Sequence, residues 1–213
     1  QSLLDVFPEH KEKIQIIYNG IDTESVREKA KEPADIRLKH PNVLSVGRLD
    51  SNKNPLRLLR IFEKLHEKNP EAHLYYLGYG ELEEVVIAEA EKKKINNYVH
   101  LLGYYENPFP IIAQCDVSCL FSLAEGFPLA LLESVALDKP FVSSIVGGAR
   151  ILANEGTCGK AVESDDEAVE EILKFFEADK EQIAWKCRES IKRFDLDEYI
   201  QQIERLFDGI LEN

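Results

Sequence analysis

Short apolar, β-branched runs alternate along this chain with longer segments in which apolar residues return every three or four positions. The runs are Ile14–Tyr18, Val43–Val46, His73–Leu77, Tyr98–Leu102, Asp116–Phe121 and Phe141–Ser144, with a short last one at Lys160–Val162. Between them the helical period appears at about Leu56–Lys68, Glu81–Lys94, Phe109–Gln114, Leu129–Leu137 and Glu167–Phe176. Most of the runs are continuous rather than alternating, the mark of strands covered on both faces. The order predicts an α/β fold, a doubly wound parallel sheet with a C-terminal helical tail. After Trp185 the pattern is helical only, and Ile200, Ile203, Leu206, Phe207 and Ile210 form a stripe that needs a partner. The expected division is a Rossmann-like domain over 1–192 and a terminal helix over 193–213.

Several boundaries carry a mechanism. Asn54-Pro55 predicts a helix start, with Asn as cap and Pro in the first turn. Ser164-Asp-Asp-Glu167 and Asp195-Leu-Asp-Glu198 both match a capping box.

Composition narrows the function classes. The 213 residues carry a net charge of −13, which argues against nucleic acid or an anionic membrane as a general partner. No apolar run is long enough to span a bilayer and no signal peptide opens the chain, so a cytoplasmic protein is expected. The chain contains no Met, so residue 1 is read as a boundary within a longer protein. Cys115, Cys119, Cys158 and Cys187 lack zinc-knuckle spacing and suit small buried hydrophobes. No two of the five histidines stand four apart as a helical zinc pair would. His73 and His100 are expected at a strand edge or in the core, and Trp185 as a packing residue. Asp195-Leu-Asp197 matches the Asp-x-Asp that some enzymes use for manganese, but at a helix start it reads as a cap, and no metal site is expected.

Two stretches point to chemistry. Glu125-Gly-Phe-Pro-Leu-Ala-Leu-Leu-Glu133 brackets a helix start with two carboxylates, and Gly47-Arg48-Leu-Asp-Ser-Asn-Lys53 supplies two cations. In open α/β sheets ligands sit beyond the carboxyl ends of the strands, where both stretches fall. Each charge alone also suits a solvated surface. The spacing gives them a joint purpose: Gly126 lets backbone approach a ligand, and the helix after Pro128 turns its N-terminal N–H groups toward an anion. An acidic pair beside a basic pair suits a molecule with hydroxyl-rich ends and an anionic middle, as a nucleotide sugar is.

The sequence resembles the C-terminal, donor-binding half of a GT-B fold, retaining glycosyltransferase of family 4, a group with many bacterial polysaccharide transferases. The resemblance rests on ordered elements spanning most of the chain: Ile17-Tyr-Asn-Gly-Ile-Asp22, Val46-Gly-Arg-Leu-Asp50 with Lys53, Gly78-Tyr-Gly80, Leu102-Gly103, Cys115-Asp-Val117, Ser122-Leu-Ala-Glu-Gly-Phe-Pro-Leu129 with Glu133, Lys139-Pro-Phe-Val142 and Gly147-Gly148. It implies that Arg48 and Lys53 bind the donor diphosphate, Glu125 the sugar hydroxyls and Glu133 the ribose. It further implies that backbone amides of Phe127, Pro128 and Leu129 meet the phosphates or sugar, that Gly47 gives the pyrophosphate room, and that residues from Gly103 to Glu106 border the base. The donor would be UDP- or GDP-linked, with no further cofactor.

Two positions depart from the family pattern: Pro128 stands where Gly is common, and Ile151 where a Glu often follows the Gly-Gly pair. Only the donor half is legible. The resemblance therefore implies a fragment inactive alone, whose glycan or lipid-linked acceptor is held by a missing half, in the full protein at the inner face of the membrane. The terminal helix would pack on that half and, left bare, support weak self-association. The rivals are a dinucleotide oxidoreductase, which lacks its GxGxxG turn here, a GT-B-like epimerase, and a non-catalytic nucleotide-sugar or partner-binding module.

Overall fold

The computed structural model describes residues 3–153 and 158–211. Its strands are β1 (Asn42–Val46), β2 (His73–Leu77), β3 (Val99–Gly103), β4 (Val117–Leu120), β5 (Phe141–Ser144) and β6 (Gly159–Val162). The α-helices are α1 (Leu3–Val6), α2 (Thr23–Lys29), α3 (Pro55–Lys68), α4 (Glu83–Lys92), α5 (Phe109–Ile112), α6 (Leu129–Ala136), α7 (Ala149–Ala153), α8 (Asp165–Glu177), α9 (Lys180–Ile191) and α10 (Leu196–Leu211). The strands form one parallel sheet in the order β3-β2-β1-β4-β5-β6, so the winding reverses between β1 and β4.

The doubly wound sheet is the one the apolar runs predict, with corrections at particular places. Ile14–Tyr18 is not a strand but coil, with Ile16 and Tyr18 exposed. Just after it the chain is held by a bridge from Ile21 to Asp195. Asn54 does not cap α3 through its side chain; it sits in the left-handed region at φ 50°, and Pro55 opens the helix as expected. The turn before it is closed by Asp50, whose Oδ1 accepts the Lys53 N–H at 2.8 Å and whose carbonyl accepts the Asn54 N–H. Ser164 Oγ accepts the Glu167 N–H at 3.1 Å, while the Glu167 carboxylate reaches the Glu163 N–H rather than that of Ser164. Asp195 caps α10 by accepting the Glu198 N–H.

Each sheet face carries its own core. Leu44, Tyr75, Leu120 and Phe141 pack with α5, α6, α7 and α9 on one side. Val43, Leu74, Tyr76, Val117, Cys119 and Val142 pack with α3, α4 and α8 on the other. All four cysteines are free and buried, and burial pushes the thiols of Cys115, Cys119 and Cys187 far up. His73 and His100 meet across β2 and β3 with ring nitrogens 3.0 Å apart, and burial lowers His100 to about 4. Trp185 contradicts the packing expectation: it lies on the outer side of α9 and is 60% exposed. On α10, Ile200, Leu206 and Phe207 are exposed, whereas the side chain of Ile210 lies outside the described residues.

The fold positions a site through the way β1 and β4 part. β1 runs beside β2 over five register pairs but beside β4 over only two, Val43 with Val117 and Leu44 with Ser118. Asp116 pins the two strands at their start, accepting the Asn42 N–H at 2.9 Å, His40 Nδ1 at 2.7 Å and Lys180 Nζ at 2.9 Å. Burial alone would raise this carboxyl, but those bonds outweigh it and hold it below its ordinary value. Beyond Leu44 and Ser118 the ladder ends, and a crevice opens toward the carboxyl ends of the strands.

Glycine shapes the β1 side of that crevice. At Gly78, φ is +140° and a Cβ would strike the Gly47 carbonyl. Gly78→Ala is therefore expected to destabilise the chain by about 1–3 kcal/mol and to displace the loop that begins at Gly47. Urea unfolding measures the first effect; an unchanged midpoint would contradict it.

Candidate functional site

The crevice is bridged at its lip by two loops. The loop after β1 runs from Gly47 to Asn54, and the loop after β4 from Phe121 to Pro128. The Leu123 N–H donates to the Asn52 carbonyl at 2.7 Å, and Asn52 Nδ2 donates to the Ala124 carbonyl at 3.1 Å. Beside these backbone ties, Lys53 Nζ reaches Glu125 Oε1 at 2.5 Å. Both side chains are largely withdrawn from solvent, so each charge depends on the other. The same Oε1 also accepts the Ser122 hydroxyl at 2.7 Å.

Arg48 stands apart from that pair. Its side chain is 77% exposed and its guanidinium bonds Asp50 Oδ2 at 2.9 Å. Asp50 thus holds the guanidinium with one oxygen and the Lys53 N–H with the other. The sequence places both cations at this edge, but nothing in it assigns Asp50 to them. Gly47, at φ +143°, leaves room for the Lys53 stem, which an added Cβ would meet at 3.3 Å.

Gly126 faces open space, as a position of close backbone approach requires. The loop is backed by the Gly147-Gly148 turn: the Gly148 N–H donates to the Gly126 carbonyl at 3.0 Å, and a Cβ on Gly147 would strike the carbonyls of Glu125 and Gly126. The Phe127 side chain turns inward, its ring 5.8 Å from Tyr18 and 5.4 Å from Phe194.

Pro128 corrects one expectation. It precedes α6 as the cap residue. It also lacks an N–H, so it offers no amide donor, and its carbonyl instead accepts from Leu131 and Leu132. The amides left to open α6 belong to Leu129 and Ala130. Glu133 follows one turn in, half-buried, with no hydrogen-bond or ion-pair partner among the described residues, and burial raises its carboxyl above the ordinary range.

A groove of about 310 Å³ adjoins Arg48, lined by Val46, Gly47, Leu77, Tyr79, Tyr104 and Tyr105 among others. Tyr79 and Tyr104 meet edge to face across 6.2 Å and are both exposed. Gly103, at φ +73°, ends β3 and receives the Gly78 N–H on its carbonyl. The site thus joins a flat aromatic groove, two cations, a helix N-terminus and two carboxylates along one sheet edge. Such a row can hold a planar ring, an anion and hydroxyl groups in that sequence.

Comparison with known proteins gives a consistent picture. The family described as "Glycosyl transferases group 1" matches residues 26–193. The chain is 34% identical over 200 residues to the N-acetylgalactosamine-N,N'-diacetylbacillosaminyl-diphospho-undecaprenol 4-alpha-N-acetylgalactosaminyltransferase of Campylobacter jejuni, covering 92% of this chain and 53% of that protein. It is 29% identical over 120 residues to the putative glycosyltransferase EpsD of Bacillus subtilis, covering 56% of this chain and 32% of that protein. Among solved structures it is similar to a mutant of S. aureus TarM in complex with Fondaparinux, alpha-GlcNAc-glycerol and UDP, at a TM-score of 0.80 and 19% identity, covering 96% of this chain and 41% of that one. WaaG, a glycosyltransferase involved in lipopolysaccharide biosynthesis, gives a TM-score of 0.74 at 20% identity, covering 94% of this chain and 59% of that one. The chain spans about half the length, or less, of these curated relatives.

The isolated Glu133 carboxylate makes a prediction of its own. Because its folded pKa is raised, the folded state holds the proton more tightly than the unfolded chain, and stability falls as pH rises through that window. Glu133→Gln removes the cost. It is expected to melt higher than the parent at pH 7.5, with the gap closing as pH drops toward about 4, where unfolded Glu is itself protonated. A lower melting temperature at pH 7.5 would contradict this.

Proposed function

This chain belongs to the glycosyl transferases group 1 family, and we propose that it is the donor-binding half of a retaining, family 4 transferase of the GT-B fold. It binds a UDP- or GDP-linked sugar in the crevice between β1 and β4, for transfer of a hexosyl unit to a glycan or lipid-linked acceptor. The observation that carries this reading is the Lys53–Glu125 bridge across the switch point, with Arg48 on one flank and the N-terminus of α6 on the other.

Breaking a sugar–phosphate bond builds negative charge on the departing diphosphate. Groups already aimed at that charge stabilise the transition state more than the ground state. Arg48 and Lys53 supply two cations, and the Leu129 and Ala130 amides supply the helix end. A diphosphate is a stronger ligand for these cations than the carboxylates that hold them, because it brings more charge and more acceptor oxygens. Glu125 accepts sugar hydroxyls and Glu133 accepts ribose hydroxyls; the latter bonds compensate a half-buried carboxylate that has no partner among the described residues. Gly103 and the tyrosine groove border the base, and Gly47 keeps backbone out of the path of the pyrophosphate.

One relative favours a lipid-linked acceptor and one a uridine nucleotide. The Campylobacter enzyme is named for a diphospho-undecaprenol substrate, and the TarM structure contains UDP. The place proposed for the full protein is the cytoplasm, at the inner membrane face where such an acceptor is met. No helix among the described residues is long and apolar enough to cross a membrane. The exposed face of α10 is assigned to contact with an acceptor-binding half, and this chain alone is expected to bind donor without transferring it.

Calorimetric titration of the chain with UDP, GDP and ADP tests the reading. One of the three is expected to bind selectively, and Arg48→Ala and Lys53→Ala should each weaken it about tenfold or more, the cost of a lost charge-assisted contact. Binding by none, or binding indifferent to both substitutions, would overturn it.

A further inference from the structure

We propose that Ser122 is a positioning residue for the donor sugar: its buried hydroxyl holds Glu125 so that one carboxylate oxygen faces the crevice as a sugar acceptor. The inference rests on the donor-site reading above and names a residue which that reading leaves out.

Ser122 is only 3% exposed and lies two residues past β4. Its hydroxyl donates to Glu125 Oε1 at 2.7 Å, and its own carbonyl accepts the Ser144 hydroxyl at 2.8 Å. Ser144 ends β5 and is itself buried, so Ser122 is fastened to two neighbouring strands rather than to a free loop. A side chain held in this way presents its hydroxyl in one direction, which is what a precise site needs from its supporting residues.

The bonds are unevenly shared between the two carboxylate oxygens. Glu125 Oε1 takes both Lys53 and Ser122, while Oε2 takes no bond among the described residues. An ionised carboxylate only accepts, and Oε2 keeps its capacity for a ligand hydroxyl. The two partners of Oε1 also differ in permanence. The Lys53 ammonium is on a flexible stem and is wanted by the diphosphate, so an arriving donor draws it toward the phosphates. The Ser122 hydroxyl has no such competing demand. It is the bond that keeps Glu125 oriented once the donor is in place, when the sugar has to be held.

The test compares the bare nucleotide with the nucleotide sugar, by calorimetry on this chain with UDP and with UDP-N-acetylgalactosamine, UDP-N-acetylglucosamine and UDP-glucose. Ser122→Ala is expected to leave UDP affinity within about twofold while weakening the preferred UDP-sugar about fivefold or more, the size of one lost hydrogen bond to a charged group. Combining it with Glu125→Ala, which removes the acceptor altogether, should add nothing to Glu125→Ala alone, since the serine acts only through that carboxylate. An unchanged ratio of UDP-sugar to UDP affinity, an equal loss for both ligands, or additivity in the double variant would overturn the inference and leave the donor site standing. A parent chain that binds neither these ligands nor GDP would remove the donor-site reading, and this inference with it; a chain that binds GDP instead carries the same comparison, with the same outcomes, over to GDP and GDP-mannose.

Discussion

The ion pair between Lys53 and Glu125 is the contact on which the rest of the site depends. It joins residues 72 positions apart in the chain, one on each side of the place where the sheet reverses its winding. Together with the Asn52 bonds to Leu123 and Ala124, it closes the lip of the crevice beyond Leu44 and Ser118, where the β1–β4 ladder stops. The pair also shows how a strongly acidic protein presents cations along this lip. Each cation stands with a carboxylate, Lys53 with Glu125 and Arg48 with Asp50, so the local charge is balanced.

The frame around this pair is stiff at both ends. At the far end Asp116 gathers the Asn42 N–H, His40 and Lys180, which fixes where β1 and β4 begin to part. At the near end the constraints are steric. Gly78 lies against the Gly47 carbonyl, and Gly147 against the Glu125 and Gly126 carbonyls, so each loop is backed by the turn of a neighbouring strand. Phe127 adds a third support by turning inward onto Tyr18 and Phe194, which ties the site loop to the start and end of the chain. Loops supported in this way can hold charged side chains at fixed positions while remaining open to a ligand.

Much of this was legible in the sequence because it is local. Continuous β-branched runs and the period of 3.6 locate β1 to β6 and the helices α3, α4, α5, α6 and α8, though not the short α7, and the strand-end rule brings Arg48, Lys53, Glu125 and Glu133 to one edge. What escaped depends on distant partners. Ile14–Tyr18 has the composition of a strand but runs as coil, and Trp185 has the composition of a core residue but lies on the outer side of α9. Asp50 and Ser122 are small polar residues of a kind common in turns, and only the fold reveals that they hold Arg48, Lys53 and Glu125. Pro128 is the exception, since its missing N–H is a property of the residue alone and already rules it out as an amide donor.

The central claim is that the crevice between β1 and β4 receives the diphosphate of a nucleotide. Amide NMR of the isotopically labelled chain during titration with UDP and GDP tests it most directly, because it reports location as well as binding. The account predicts saturating shifts at Gly47, Lys53, Gly126, Leu129 and Ala130, with the far-end cleft lined by Asp116, Asp138, Lys139 and Lys180 left unperturbed. Shifts centred on that far-end cleft, or none with either nucleotide at millimolar concentration, would contradict it.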